Sequence, residues 1–78
     1  MKNIEDNIKI LLNLFNAGKY DLVLTKSKKL IRKFPQYLAL YNILGSSYQN
    51  IGNLSLARKI FEKGLKLDPN NISIMNNL

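Results

Sequence analysis

The sequence predicts an all-α fold built as a stack of antiparallel helical hairpins, an α-solenoid. Three observations predict it. Apolar residues recur at spacings of three and four along most of the chain, which is the period of an amphipathic helix. Gly18 and Gly52 stand 34 residues apart, and so do Pro35 and Pro69. A gapless overlay of 4–37 on 38–71 also pairs Asn16 with Asn50, Leu22 with Leu56 and Lys29 with Lys63. Two of these five identities are Gly and Pro, the residues that punctuate helices, and that raises the overlay above chance matching.

Each element follows from this pattern. Ile4, Ile8, Leu11, Leu12 and Phe15 predict a helix over about 4–16. Leu22, Val23, Leu30 and Ile31 predict the second, at 21–33. Tyr41, Leu44, Tyr48 and Ile51 carry the third, at 38–51, and Ala57, Ile60, Phe61 and Leu65 the fourth, at 54–67. A fifth begins at 72 and is cut short by the end of the sequence. Gly18 and Gly52 can take the left-handed conformation that ends a helix. Asp21 and Ser55 are the expected N-caps of the helices that follow. Pro35 and Pro69 disfavour helix in the residue before them, so Phe34 and Asp68 should close their helices. No stretch alternates apolar and polar with period two for long enough to suggest a strand.

Composition narrows the function. The chain has 78 residues, enough for one small domain, with 46% hydrophobic and 22% charged residues. It lacks both Cys and His, which removes disulfide frameworks, zinc fingers, thiol nucleophiles and His-based triads. The five carboxylates are scattered, and Glu5-Asp6 suits the positive end of a helix dipole. Gly45-Ser46-Ser47 lies inside a helical pattern and lacks the further Gly and Lys of a phosphate loop. No enzyme activity, cofactor or metal is expected. No apolar run approaches the roughly 20 residues that span a bilayer, and the start of the chain lacks a signal-peptide core. A cytoplasmic protein is the expected setting.

Tyr41-x-x-Leu44-Gly45-x-x-Tyr48, followed by Gly52, Ala57, Phe61, Gly64 and Pro69, resembles the tetratricopeptide repeat signature over its whole length. Tyr41 stands where that family often has Trp, and Gly64 where it usually has Ala. The resemblance implies a right-handed solenoid with an atypical repeat at 4–37, a typical one at 38–71 and a partial third at 72–78. The first unit departs from the signature, with Asn7 at the aromatic place, Leu11 at the Gly, Leu14 at the Tyr, Val23 at the Ala, Ser27 at the Phe and Leu30 at the second small residue. Large-for-small at Leu11, Val23 and Leu30 against small-for-large at Ser27 predicts that packing volume is redistributed within that hairpin. The chain reads as the N-terminal segment of a longer bacterial protein.

The resemblance implies a non-catalytic scaffold that holds a peptide or partner domain on the concave face of the first helices. The groove positions are Ile8, Leu12 and Phe15 in the first unit and Asn42, Ser46 and Gln49 in the second. The family's carboxylate clamp for chaperone C-terminal tails falls here on Ile8, Leu12, Ile43, Ser73 and Asn77, with no Lys or Arg, so chaperone tails are not the expected ligand. The alternatives are an N-terminal appendage of a larger sulfotransferase- or glycosyltransferase-like enzyme, and a module that self-associates through its open ends.

The net charge of +7 gathers on the second helices, through Lys26, Lys28, Lys29, Arg32 and Lys33 and then Arg58, Lys59, Lys63 and Lys66. Such a convex stripe could draw nucleic acid, an anionic membrane or an acidic partner. Ten Lys against two Arg, without aromatics spaced for base stacking, weighs against nucleic acid and favours a solvated face.

Overall fold

The computed structural model describes residues 3–71 and Ile74. These residues form four helices, α1 (Ile4–Asn16), α2 (Tyr20–Lys33), α3 (Leu38–Asn50) and α4 (Leu54–Leu67). No strand occurs among the described residues. The anticipated fifth helix lies outside them except for Ile74, which is helical.

Two turns of one kind close the two hairpins. Gly18 and Gly52 have φ of 76° and 86°, the left-handed region that a side chain would strain. Lys19 N–H donates to Leu14 O at 2.9 Å, and its equivalent Asn53 N–H donates to Tyr48 O at 2.9 Å. These six-to-one bonds satisfy carbonyls that the helix end would otherwise orphan. The hairpin-to-hairpin link repeats as well. Phe34 N–H bonds Leu30 O and Asp68 N–H bonds Gly64 O, each capping its helix just before a proline.

The helix starts correct the expected caps. α2 begins at Tyr20 with Lys19 as an N-cap that lends no side chain, and Asp21 lies in the first turn. α4 begins at Leu54, and the Asn53 side chain accepts from Leu56 N–H at 3.2 Å, so Ser55 is not the cap. The glycine turn is so tight that each helix starts two residues after its glycine. Asn3 caps α1 by accepting from Asp6 N–H at 2.8 Å, and Glu5 and Asp6 occupy its first turn as the dipole favours.

α3 is the central element. It packs on α1, α2 and α4, whereas the backbones of α2 and α4 stay apart. Burial follows. Leu40, Tyr41, Ile43, Leu44, Gly45, Ser47 and Tyr48 are buried on α3, against only Ile4 and Leu11 on α1 and Val23 and Ser27 on α2. One core cluster joins Ile4, Leu11, Val23, Leu40 and Ile43, and the other joins Leu44, Tyr48, Ala57, Phe61 and Ile74.

The two hairpins solve one packing problem in opposite ways. In the second, a β-carbon on Gly45 would lie 2.7 Å from Cδ1 and Cζ of Phe61, closer than atoms can approach, so the ring fills the space beside a bare backbone. In the first, the equivalent places hold Leu11 and Ser27, 1% and 0% exposed. The large side chain has moved from the second helix to the first, as volume conservation predicts. The exchange leaves a polar atom stranded, since Ser27 Oγ is buried with no hydrogen-bond partner.

Ile74 closes the far end of the stack. It is 1% exposed, and its Cδ1 would sit 2.6 Å from a β-carbon on Gly64. Asn71 Oδ1 accepts from Ile74 N–H at 2.9 Å, as an N-cap does. The sequence suggests Ile72, Met75 and Leu78 for this docking, and those positions lie outside the described residues.

Candidate functional site

Because α1 and α3 pack side by side, the predicted groove residues of the two units fall on adjacent helices. Leu12, Phe15, Asn42 and Ser46 come together with Ile43 around a shallow groove of about 120 Å³. Leu12 is 44% exposed, although it sits one residue after Leu11, which is fully buried. On an α-helix adjacent residues point about 100° apart, so α1 turns Leu11 to the core and Leu12 to the groove.

One end of the groove is held by a short chain of contacts. Phe15 meets the Tyr20 ring edge-on, with centroids 5.3 Å apart and planes at 72°. Tyr20 Oη donates to Asn50 Oδ1 at 3.3 Å, and Asn50 Nδ2 donates to Ser46 O at 2.8 Å. Phe15 of the first unit is thereby tied to the last turn of α3 in the second. Asn42 and Gln49 are also engaged in contacts of their own.

Ile8 and Gln49 do not line this groove. Ile8 is half-buried and packs against the first core cluster. Ile43, one of the clamp positions but not one of the six groove positions, also lines it, and as a core residue 8% exposed it shows only one edge. Of the chaperone-clamp positions, Ser73 and Asn77 lie outside the described residues. No group of three or more Asp, Glu, His or Cys side chains able to hold a metal occurs among the described residues. No helix among them is long and apolar enough to cross a membrane. A groove walled by three aliphatic or aromatic side chains and two short polar ones offers contact and hydrogen bonding rather than bond chemistry.

The arrangement defines a helical-repeat protein in which one hairpin stacks on the next. Residues 38–71, the second hairpin with its closing loop, match the family model for the tetratricopeptide repeat, and this segment is such a repeat. No curated protein and no solved structure matches the chain. Tetratricopeptide repeats are protein–protein interaction motifs, and they typically serve as scaffolds without catalytic activity.

Proposed function

We propose that the chain is a non-catalytic interaction module that holds a peptide or an exposed helix of a partner protein in the groove between α1 and α3. On this reading 4–37 is an atypical first repeat, supported by the two equivalent glycine turns and the two equivalent proline links. The observation that carries the proposal is Leu12. It is a large aliphatic side chain 44% exposed, it stands beside Phe15, and it faces Asn42 and Ser46 across a groove. An apolar anchor flanked by hydrogen-bonding groups suits a partner segment with one or two apolar side chains.

The test is peptide display against the purified protein, followed by affinity measurement on the selected peptides. Peptides carrying an apolar anchor should bind the wild type and lose affinity with Leu12→Lys. Circular dichroism and mass should be unchanged, since an exposed position tolerates the substitution. Selected peptides that bind Leu12→Lys as well as wild type would place the site elsewhere. A protein that unfolds with this substitution would show Leu12 to be structural.

A second reading, self-association, has its own observation. The outer side of α1 and α2 carries a cleft of about 210 Å³ with Ile10, Leu11 and Leu30 in its lining. It is equivalent to the place where α2 packs against the second hairpin. Sedimentation equilibrium of wild type against Ile10→Glu tests it, and a wild type monomeric at high concentration ends that reading.

A further inference from the structure

The solenoid has a second concavity, on the opposite side from the groove between α1 and α3. The backbones of α1 and α3 come close while those of α2 and α4 stay apart, although both pack on α3. Between the second helices lies a cleft of about 270 Å³. Its apolar lining comes from Ile31, Tyr41, Leu44 and Ile60, and Lys28, Arg32 and Lys63 stand around it. Among the described residues no carboxylate contributes to the lining.

The polar groups here have little to do inside the molecule. Lys28 Nζ lies 5.6 Å from the centroid of the Tyr48 ring, a cation–π contact. Arg32 and Lys63 make no ion pair among the described residues. Tyr41 Oη is already committed, donating to Pro35 O at 2.6 Å. Three cations around an apolar floor, in a chain of net charge +7, form a surface complementary to negative charge that surrounds an apolar group.

The size and shape choose among anionic partners. The cleft is smaller than the roughly 300–1,000 Å³ of small-molecule pockets, and it suits side chains better than a nucleotide or a lipid headgroup with its chain. Tyr41 is 7% exposed, so it presents no ring face on which a base could stack. A membrane surface would engage exposed cations in general, and it would not need a floor recessed between two helices.

We propose that this outer cleft binds an acidic peptide segment that inserts an aliphatic side chain between carboxylates. The side chain rests on the half-buried Ile31 and Ile60, with Leu44 beneath them, and the carboxylates pair with Lys28, Arg32 and Lys63. This site is independent of the groove between α1 and α3, and a partner could engage both at once.

Fluorescence anisotropy with a labelled peptide of Glu and Asp carrying Leu at every fourth position tests the proposal on the full chain. Binding should weaken with added salt, because exposed charge pairs are screened. It should fall about tenfold or more with Arg32→Glu combined with Lys63→Glu. The matched control is Arg58→Glu with Lys59→Glu, which changes the net charge equally on residues outside the cleft and should cost far less. Replacing every Leu of the peptide by Ser should also cost affinity, and Leu12→Lys in the protein should not. Equal losses from the two charge-reversed pairs, or equal binding of the Ser peptide, would reduce the effect to general charge attraction and overturn the proposal. Tighter binding to oligo-deoxythymidine, or to phosphatidylcholine vesicles containing phosphatidylserine, would overturn the peptide assignment in favour of those ligands.

Discussion

Phe61 lies against Gly45 so closely that the aromatic ring occupies the volume a β-carbon would need, 2.7 Å from two of its ring carbons. The contact joins α4 to α3 across the second hairpin and sets how near the two backbones can come. Gly45→Ala should therefore destabilise the protein by about 1–3 kcal/mol, because overpacking outweighs the gain in helix propensity. Phe61→Ala should cost about 3–5 kcal/mol, comparable to the whole stability of a domain this small. Chemical denaturation of Gly45→Ala, of Phe61→Leu and of the two combined gives the coupling. The double variant should be more stable than the sum of its singles predicts. A melt unchanged by Phe61→Ala would refute this packing.

Ser27 sits where Phe61 sits in the second hairpin, fully buried with its hydroxyl unbonded. Removing that hydroxyl relieves a desolvation cost, so Ser27→Ala should stabilise by about 1 kcal/mol. Ser47 is the control. It is equally buried, but its hydroxyl donates to Ile43 O at 2.9 Å. Ser47→Ala loses that bond and should be neutral or destabilising by up to about 1 kcal/mol. Opposite signs in thermal melts check the pair, and equal effects would show that Ser27 has found a partner in solution.

The hairpin turns give a third prediction. A β-carbon at Gly18 or Gly52 would meet no neighbouring atom within 4 Å, so any penalty must come from the backbone. Gly18→Ala and Gly52→Ala should each cost about 1–2 kcal/mol, the left-handed penalty for an L-residue. Asn at either site should cost less than Ala, because its short polar side chain tolerates that conformation. An Ala variant as stable as wild type would mean that the turn had relaxed to another form.

Ile74 covers Gly64 and belongs to the same cluster as Phe61 and Tyr48. Ile74→Ala should cost about 2–5 kcal/mol as a buried truncation. It should also speed amide exchange along α4 more than along α1, because the two clusters are separate. Exchange that accelerates equally in both helices would show that the stack opens as one unit.

Much of the fold is legible in the residues themselves. The glycine and proline positions place every described helix to within a residue or so, because a left-handed turn and a missing N–H are properties of single residues. The caps are legible less well. Asp21 and Ser55 have the right chemistry, but the compact turn starts each helix one residue before them and leaves the cap to Lys19 and Asn53. The groove is half legible. Leu12, Phe15, Asn42 and Ser46 do come together, whereas Ile8 turns toward the core and Ile43 supplies an edge that helical period alone assigns to the interior.

The periodic part of the protein is written in the chain alone: all-helical character, a 34-residue repeat, turns at Gly18 and Gly52, and a basic bias on the second helices. These depend on residues near one another in the chain, where spacing translates directly into helix face and turn geometry. Packing between helices determines that Leu11 and Ser27 exchange the roles of Gly45 and Phe61, that Ile74 seals the stack, and that Lys28, Arg32 and Lys63 surround one apolar cleft. Those outcomes depend on distances between helices remote in sequence. The first helices lie close together and the backbones of the second helices stay apart, a spacing set by the summed volumes of every side chain between them and by no single residue.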